Sequence, residues 1–295
     1  MKKIIIVLVC VLYTTLYAQG TIDKEIMSEP GLPVIIKINS GFVEIKGTND
    51  TSVKVTGKIG KNVESLIVEK NSEGIHIRPV IKEKYLKSGK DIECSLYISV
   101  PFSTALKIES TSGAIKIFGV NKTLFIQTIT GNATIEGVYE NVECQTVSGT
   151  INIKGSSDFI ECSGINGNYV LTGNFPDSIL KTSSGFIKLT TDYLNSLTIF
   201  SSSGEIDVNC DETVRSAVNI KSVNSKITFG IHNTENILIS IKTISGSLIT
   251  ENVVFAETSK EGNRMKYKNG NGESRVFIES ITGNIVLKNN KEGVK

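Results

Sequence analysis

Glycine returns at Gly113, Gly131, Gly149, Gly167 and Gly185, eighteen residues apart each time, and nothing else in the chain restricts its fold so strongly. A second column follows six residues behind, at Gly119, Gly137, Gly155 and Gly173. Between the columns the aliphatics alternate: Ile115 and Ile117, Ala133 and Ile135, Ile151 and Ile153, Tyr169 and Leu171, Ile187 and Leu189. Alternation over so short a span marks a strand with one apolar face. One such repeat carries too few apolar side chains to offset the entropy of ordering its own backbone, so it must stack on copies of itself. The expected fold is all-β, a parallel β-helix or solenoid of about 18 residues per coil.

Counted from the marker glycine, Ile129, Val147 and Ile165 share parity with the aliphatics that follow, and are expected to face inward with them. A further wall is expected from Leu124, Val142 and Ile160, with Ile126, Cys144, Cys162 and Leu180 beside it. The opposite parity holds hydroxyls, with Thr128, Thr146, Thr182, Ser201 and Thr243 in one column and Ser112, Thr130, Ser148, Ser184, Ser203 and Ser245 in another. These are expected to form an outer polar surface beside the turn. Thr111, Ser183 and Ser202 stand where other coils have aliphatics, which is a discord within this assignment.

The first residues read as a signal peptide, residues 1–18: Lys2 and Lys3, an apolar run from Ile4 to Leu16, then Ala18 before Gln19. Export to the periplasm, outer surface or extracellular space is expected, with no transmembrane segment in the mature chain. Without Lys2 and Lys3 the remaining 30 basic residues equal the 30 acidic ones, which excludes the basic footprint of a nucleic-acid binder. Residues 19–104 are expected as an N-terminal β cap, opening on an irregular lead-in with Pro30 and Pro33. Within it SGFVEIKG already keeps the repeat spacing at Gly41, Val43, Ile45 and Gly47, and residues 53–100 read as a meander or hairpin around the turn signal NSEG. Coils are expected over 105–290, with an excursion loop or exposed hairpin at 256–275.

No catalytic, cofactor-binding or metal residue is assigned. His76 and His232 are far apart and lack metal-ligand spacing. No glycine pair makes a nucleophile elbow, and the calcium-binding nonapeptide is missing. Glu143 and Glu161 fall one period apart and would sit on adjacent rungs, a spacing compatible with retaining glycoside hydrolysis or cation binding; the plain reading is a solvated surface pair. Cys144 and Cys162 are expected as neighbouring small apolar thiols in one inner column, although their spacing would also admit a bridge. The competing class is a polysaccharide-acting enzyme, a hydrolase or lyase on a pectin-lyase-like helix. Its mark would be a charged cluster beside aromatic stacking residues, and none is visible in the sequence.

The recurring STSGAIKIFG, TVSGTINIKG, TSSGFIKLT, SSSGEIDV and TISGSLIT resemble the bacterial putative adhesin family. Gly164, Ile165 and Asn166 resemble the motif that names the related head domain of autotransporter adhesins. The resemblance covers roughly residues 34 to 290. It implies a β-helix-like stack, right-handed, exported and without catalytic residues. The export signal, a repeat that builds length, the hydroxyl columns and the lack of a catalytic set lead to the expectation of a binding or structural module for a macromolecular partner that the sequence does not name, with an envelope polysaccharide or a surface protein as the candidates.

Overall fold

The computed structural model describes residues 20–289, so the expected signal peptide and cleavage site lie outside the described residues. The described chain opens on an edge strand, β1 (Thr21–Met27), where an irregular lead-in is expected from the sequence. Its Ile22 and Ile26 face inward while Thr21, Asp23 and Glu25 face out, a period of two that the neighbouring prolines mask. The first coil consists of β2 (Val34–Ile38) and β3 (Gly41–Thr48). Then come β4 (Ser52–Ile59), β5 (Val63–Lys70), β6 (Ile75–Ile81) and β7 (Cys94–Pro101), with β5 and β6 as an antiparallel hairpin. Its turn is held by Asn71, whose Oδ1 accepts the backbone N–H of Glu73 at 2.8 Å. The 3-10 turn Glu83–Tyr85 is the one helical piece among the described residues.

The stack continues through β8 (Leu106–Ser110), β9 (Ala114–Phe118), β10 (Leu124–Thr128), β11 (Asn132–Asn174), β12 (Asp177–Thr182) and β13 (Phe186–Ile231). Both β11 and β13 run through corners without losing their ladder, so each supplies several rungs. The final part holds β14 (Ile237–Thr243), β15 (Leu248–Glu251), β16 (Glu257–Glu261), β17 (Arg264–Lys268), β18 (Ser274–Ser280) and β19 (Ile285–Asn289). The rungs form two walls. Wall A contains β2, β8, β10 and β12 in parallel register, and wall B contains β3, β9 and the matching stretches of β11 and β13.

The order of rungs in space departs from the order in sequence at both ends. The first coil is not outermost: β2 lies between β6 and β8, and β3 lies between β7 and β9. The last coil is likewise enclosed, with β18 between β13 and β14, and β19 between β13 and β15. Antiparallel strands lie beyond these swapped rungs, β4 and β1 at the N-terminal end of wall B and β17 and β16 at the C-terminal end of wall A. The glycine column follows space and not sequence: a Cβ on Gly283 would overlap the carbonyl oxygen of Ser225, and one on Gly246 would overlap that of Gly283. In the middle of the stack, Gly149 has φ +153° and a Cβ there would overlap the Gly131 carbonyl oxygen. Successive backbones touch at this corner, so a side chain is excluded for reasons of space as well as backbone conformation.

The corner also reverses the parity expected from the sequence. Ile129, Val147 and Ile165 are 48%, 43% and 54% exposed, not inward-facing. The hydroxyl column turns in instead, with Thr128, Thr146, Thr182 and Ser201 buried and Thr243 half-buried. The inward phase of wall A runs Leu124, Ile126, Thr128, and the inward phase of wall B restarts at Ala133, so the four residues between them, an even number, break the alternation. Counting by twos across it therefore inverts every assignment on its near side. A buried hydroxyl is useful there because the corner N–H lacks a ladder partner: Gly131 N–H donates to Thr128 Oγ1 at 2.9 Å, and Gly283 N–H to Ser280 Oγ at 2.9 Å. Thr111, Ser183 and Ser202 are then at home on the exposed outer column.

The GIN stretch has a packing explanation. Gly164 interrupts the hydroxyl column, and Tyr169 replaces an aliphatic on the facing wall. The buried phenol reaches into the space Gly164 leaves, since a Cβ on Gly164 would meet Tyr169 Oη, and that hydroxyl donates to the Lys181 carbonyl at 3.4 Å. Small and large residues thus exchange places across the core.

Candidate binding surface

On the outside of wall A an open groove of about 740 Å3 runs along the stack across successive rungs. Parallel, in-register pairing aligns its members: Lys37 lies beside Glu109, Glu109 beside Gln127, and Gln127 beside Gln145. Arg78 joins them from β6, and Ile129 and Val147 form an aliphatic lip on the corner side. Thr128, Thr146 and Gly164 also line it. Thr146 Oγ1 is buried without a hydrogen-bond partner, unlike the Thr128 hydroxyl one rung away.

The charges in this groove are largely matched. Lys37 Nζ lies 2.8 Å from Glu109 Oε2, and Lys107 Nζ lies 3.1 Å from Oε1. Hydrogen bonding from Lys37, followed by that from Lys107, outweighs burial and holds the Glu109 carboxyl below the usual range. Gln127 Nε2 donates to Gln145 Oε1 at 3.4 Å, and Gln145 Nε2 donates to Glu143 Oε1 at 2.8 Å. The result is a ladder of amides beside an aliphatic edge, with donors and acceptors facing solvent.

The carboxylates considered as a reactive pair are separately engaged. Glu143 accepts from Gln145, and Glu161 bridges to Lys181 at 2.9 Å. Of the histidines, His76 lies 3.2 Å from Asn71 Oδ1, and His232 lies at another site near Asp211 and Glu235. Among the described residues no group of three metal-ligating side chains comes together. Cys94, Cys144, Cys162 and Cys210 are buried free thiols. Interaction with the Cys144 thiol, followed by burial, raises the Cys162 thiol well above its ordinary value. Burial pushes Cys94 up to about 11 and Cys210 up to about 12. None of the three is poised as a thiolate nucleophile.

Gln127, Gln145 and the Ile129 and Val147 lip are missed as surface-site residues in the sequence reading. The signal was present, because Gln127 and Gln145 keep the eighteen-residue period in a column that otherwise varies. A second miss lies on wall B. The sequence shows no aromatic platform, yet Phe42 and Tyr97 meet there edge to face, because β3 and β7 pair across a long sequence separation.

Two parallel walls, rungs propagated by an eighteen-residue period and an open lengthwise groove define a solenoid-like β protein. No helix among the described residues is long and apolar enough to cross a membrane. The family Toastrack DUF4097 matches residues 34–288, and the chain belongs to that family. A putative cell adhesion protein from Clostridium sporogenes is similar at 13% identity, with 92% of this chain and 100% of that one covered and a TM-score of 0.25. A putative adhesin from Bacteroides fragilis is similar at 11% identity, covering 92% and 98%, with a TM-score of 0.47. A putative lipid binding protein from Parabacteroides distasonis is similar at 17% identity, covering 92% and 98%, with a TM-score of 0.45. Among curated proteins no relative matches.

Proposed function

We propose that this chain is an exported, non-catalytic binding module of the cell envelope. It holds an extended macromolecule, an envelope polysaccharide or a surface protein, along its length. The observation that carries this reading is the wall A groove, open, about 740 Å3, and built from amides and an aliphatic edge repeated rung by rung. A repeated surface suits a polymer, since each rung offers the next unit of the ligand similar contacts. The leading Lys2, Lys3 and apolar run support export, and the individually engaged Glu143 and Glu161 support a role without turnover.

Retention of the purified chain on envelope polysaccharides and matrix proteins, with release of products followed in the same samples, tests the reading. Retention without bond cleavage is expected, weakened by combining Gln127→Ala and Gln145→Ala with Val147→Asp. Failure to bind any of these polymers would contradict it, as would cleavage abolished by one side-chain substitution. Intact mass of the secreted form should begin at Gln19, and a cell-fractionation profile confined to the cytosol would refute export.

A further inference from the structure

On the outer face of wall B, near the N-terminal end, Tyr97 of β7 is 51% exposed. Its ring meets Phe42 of β3 edge to face, with centroids 5.9 Å apart and planes at 65°. Lys116 Nζ lies over Phe42, 5.6 Å from the ring centre. The other ring pair among the described residues, Phe255 with Tyr267, closes the opposite end with Tyr267 buried. Register places Thr56 and Glu44 on either side of Tyr97, and Lys58 opposite Ser95. Beside Tyr97 is a trough of about 500 Å3 lined by Asp23, Thr56, Gly57, Lys58 and Ser95 among others.

The charged groups around these rings are not neutralised by one another. Asp23, Glu44, Lys46, Lys54 and Lys58 make no ion pair or side-chain hydrogen bond among the described residues. On wall A, by contrast, Lys37, Lys107, Lys181 and Arg264 are each bonded to a glutamate. An aromatic face ringed by free acceptors and free donors suits a pyranose. Its C–H face carries slight positive charge and packs on the electron-rich ring, while its rim hydroxyls both donate and accept. An apolar protein anchor would instead strip water from these charges without replacing it. The trough is within the range of small-ligand sites, about 300 to 1,000 Å3. Asp23 and Glu44 are separated by β4 and β7, three strand spacings or about 14 Å, beyond the roughly 5 to 9.5 Å of paired glycosidase carboxylates.

We infer that Tyr97 and Phe42, flanked by Asp23, Glu44, Lys58 and Lys116, form a carbohydrate-binding platform that seats a sugar ring of a polysaccharide on the exposed face of Tyr97. This rests on the binding-module reading, adding a second surface and naming its ligand as glycan.

Electrophoresis of the full mature chain through gels containing neutral β-glucan, laminarin, polygalacturonate or alginate tests the platform. At least one polymer should retard the protein. Tyr97→Ala should weaken retardation about tenfold, the scale of an aromatic hot spot, while Tyr97→Phe preserves it. Circular dichroism should be unchanged in both, because the ring is half exposed. The platform is overturned if no polymer retards the protein or if retardation survives Tyr97→Ala. It is equally overturned if an acidic polymer is released by salt and by Lys58→Gln with Lys116→Gln but not by Tyr97→Ala, which would show charge attraction alone. Retardation lost with Gln145→Ala but kept with Tyr97→Ala would sink the platform and leave the binding-module reading standing. Retention on matrix proteins alone would do the same.

Discussion

The middle of this stack and its two ends solve different problems. From β8 to β13 the wall A rungs pair in sequence order and in parallel, each new coil resting on the one before. At the ends the chain steps over one rung, turns back, and places its first or last coil inside the stack. Antiparallel strands rich in charge then lie outermost at the N-terminal end of wall B and the C-terminal end of wall A, with Asp23 and Glu25 facing out on β1 and every residue of β16 exposed. A solenoid that ended on its last repeat would offer a flat, unpaired edge to other chains. Burying the terminal coil one rung deep gives it two neighbours and leaves a charged, twisted edge outside. Propagation is thus a property of the repeat, and termination requires departures from it.

That contrast predicts unequal responses to substitution. The largest is expected in the middle, where Gly149→Val forces a branched side chain against the Gly131 carbonyl and should cost about 4 kcal/mol or more in urea unfolding. At the C-terminal end Tyr267 is buried, its ring centroid 5.1 Å from that of Phe255. Tyr267→Ala should cost about 3 kcal/mol and loosen β16 and β17 without unfolding the middle coils. Amide exchange confined to the last third would confirm this, and global acceleration would break the distinction. A finer test compares two neighbouring corners. Thr128→Val strands the Gly131 N–H and should cost about 1 to 3 kcal/mol. Thr146→Val removes a hydroxyl that has no partner and should stay within about 0.5 kcal/mol of the parent or exceed it. Smallest of all, Ile129→Thr on the exposed lip should change stability by less than about 0.5 kcal/mol while leaving thermal unfolding cooperative.

The repeat, the parallel strands and the inner walls at Leu124, Ile126, Ile151 and Ile153 were legible because period and alternation act locally. The corner misled the reading: Ile129 and Thr128 exchanged faces, since alternation carries no information across a turn of unknown length. The swapped ends were illegible for a different reason. The stretch around Gly283 has the same pattern as any other coil, and a pattern shared by all rungs cannot say which rung it joins. The hairpin at β16 and β17 reads as an excursion, yet β17 pairs antiparallel with β14 and its Tyr267 covers the end of the core. On the candidate surfaces, the amide ladder left a trace in the eighteen-residue period. Phe42 and Tyr97 left none, because only the return of β7 beside β3 brings them together.

The enclosure of the last coil is tested most directly by cross-linking. Ala217 on β13 lies beside Arg275 on β18, and Arg275 lies beside Leu238 on β14, so one full rung separates Ala217 from Leu238. Adjacent rungs are about 4.8 Å apart, inside the disulfide range, and alternate rungs are about twice that, outside it. Under mild oxidation Ala217→Cys with Arg275→Cys should form a bridge in the folded protein, whereas Ala217→Cys with Leu238→Cys should stay reduced. A bridge in the second pair and none in the first would place the coils in sequence order and contradict the account.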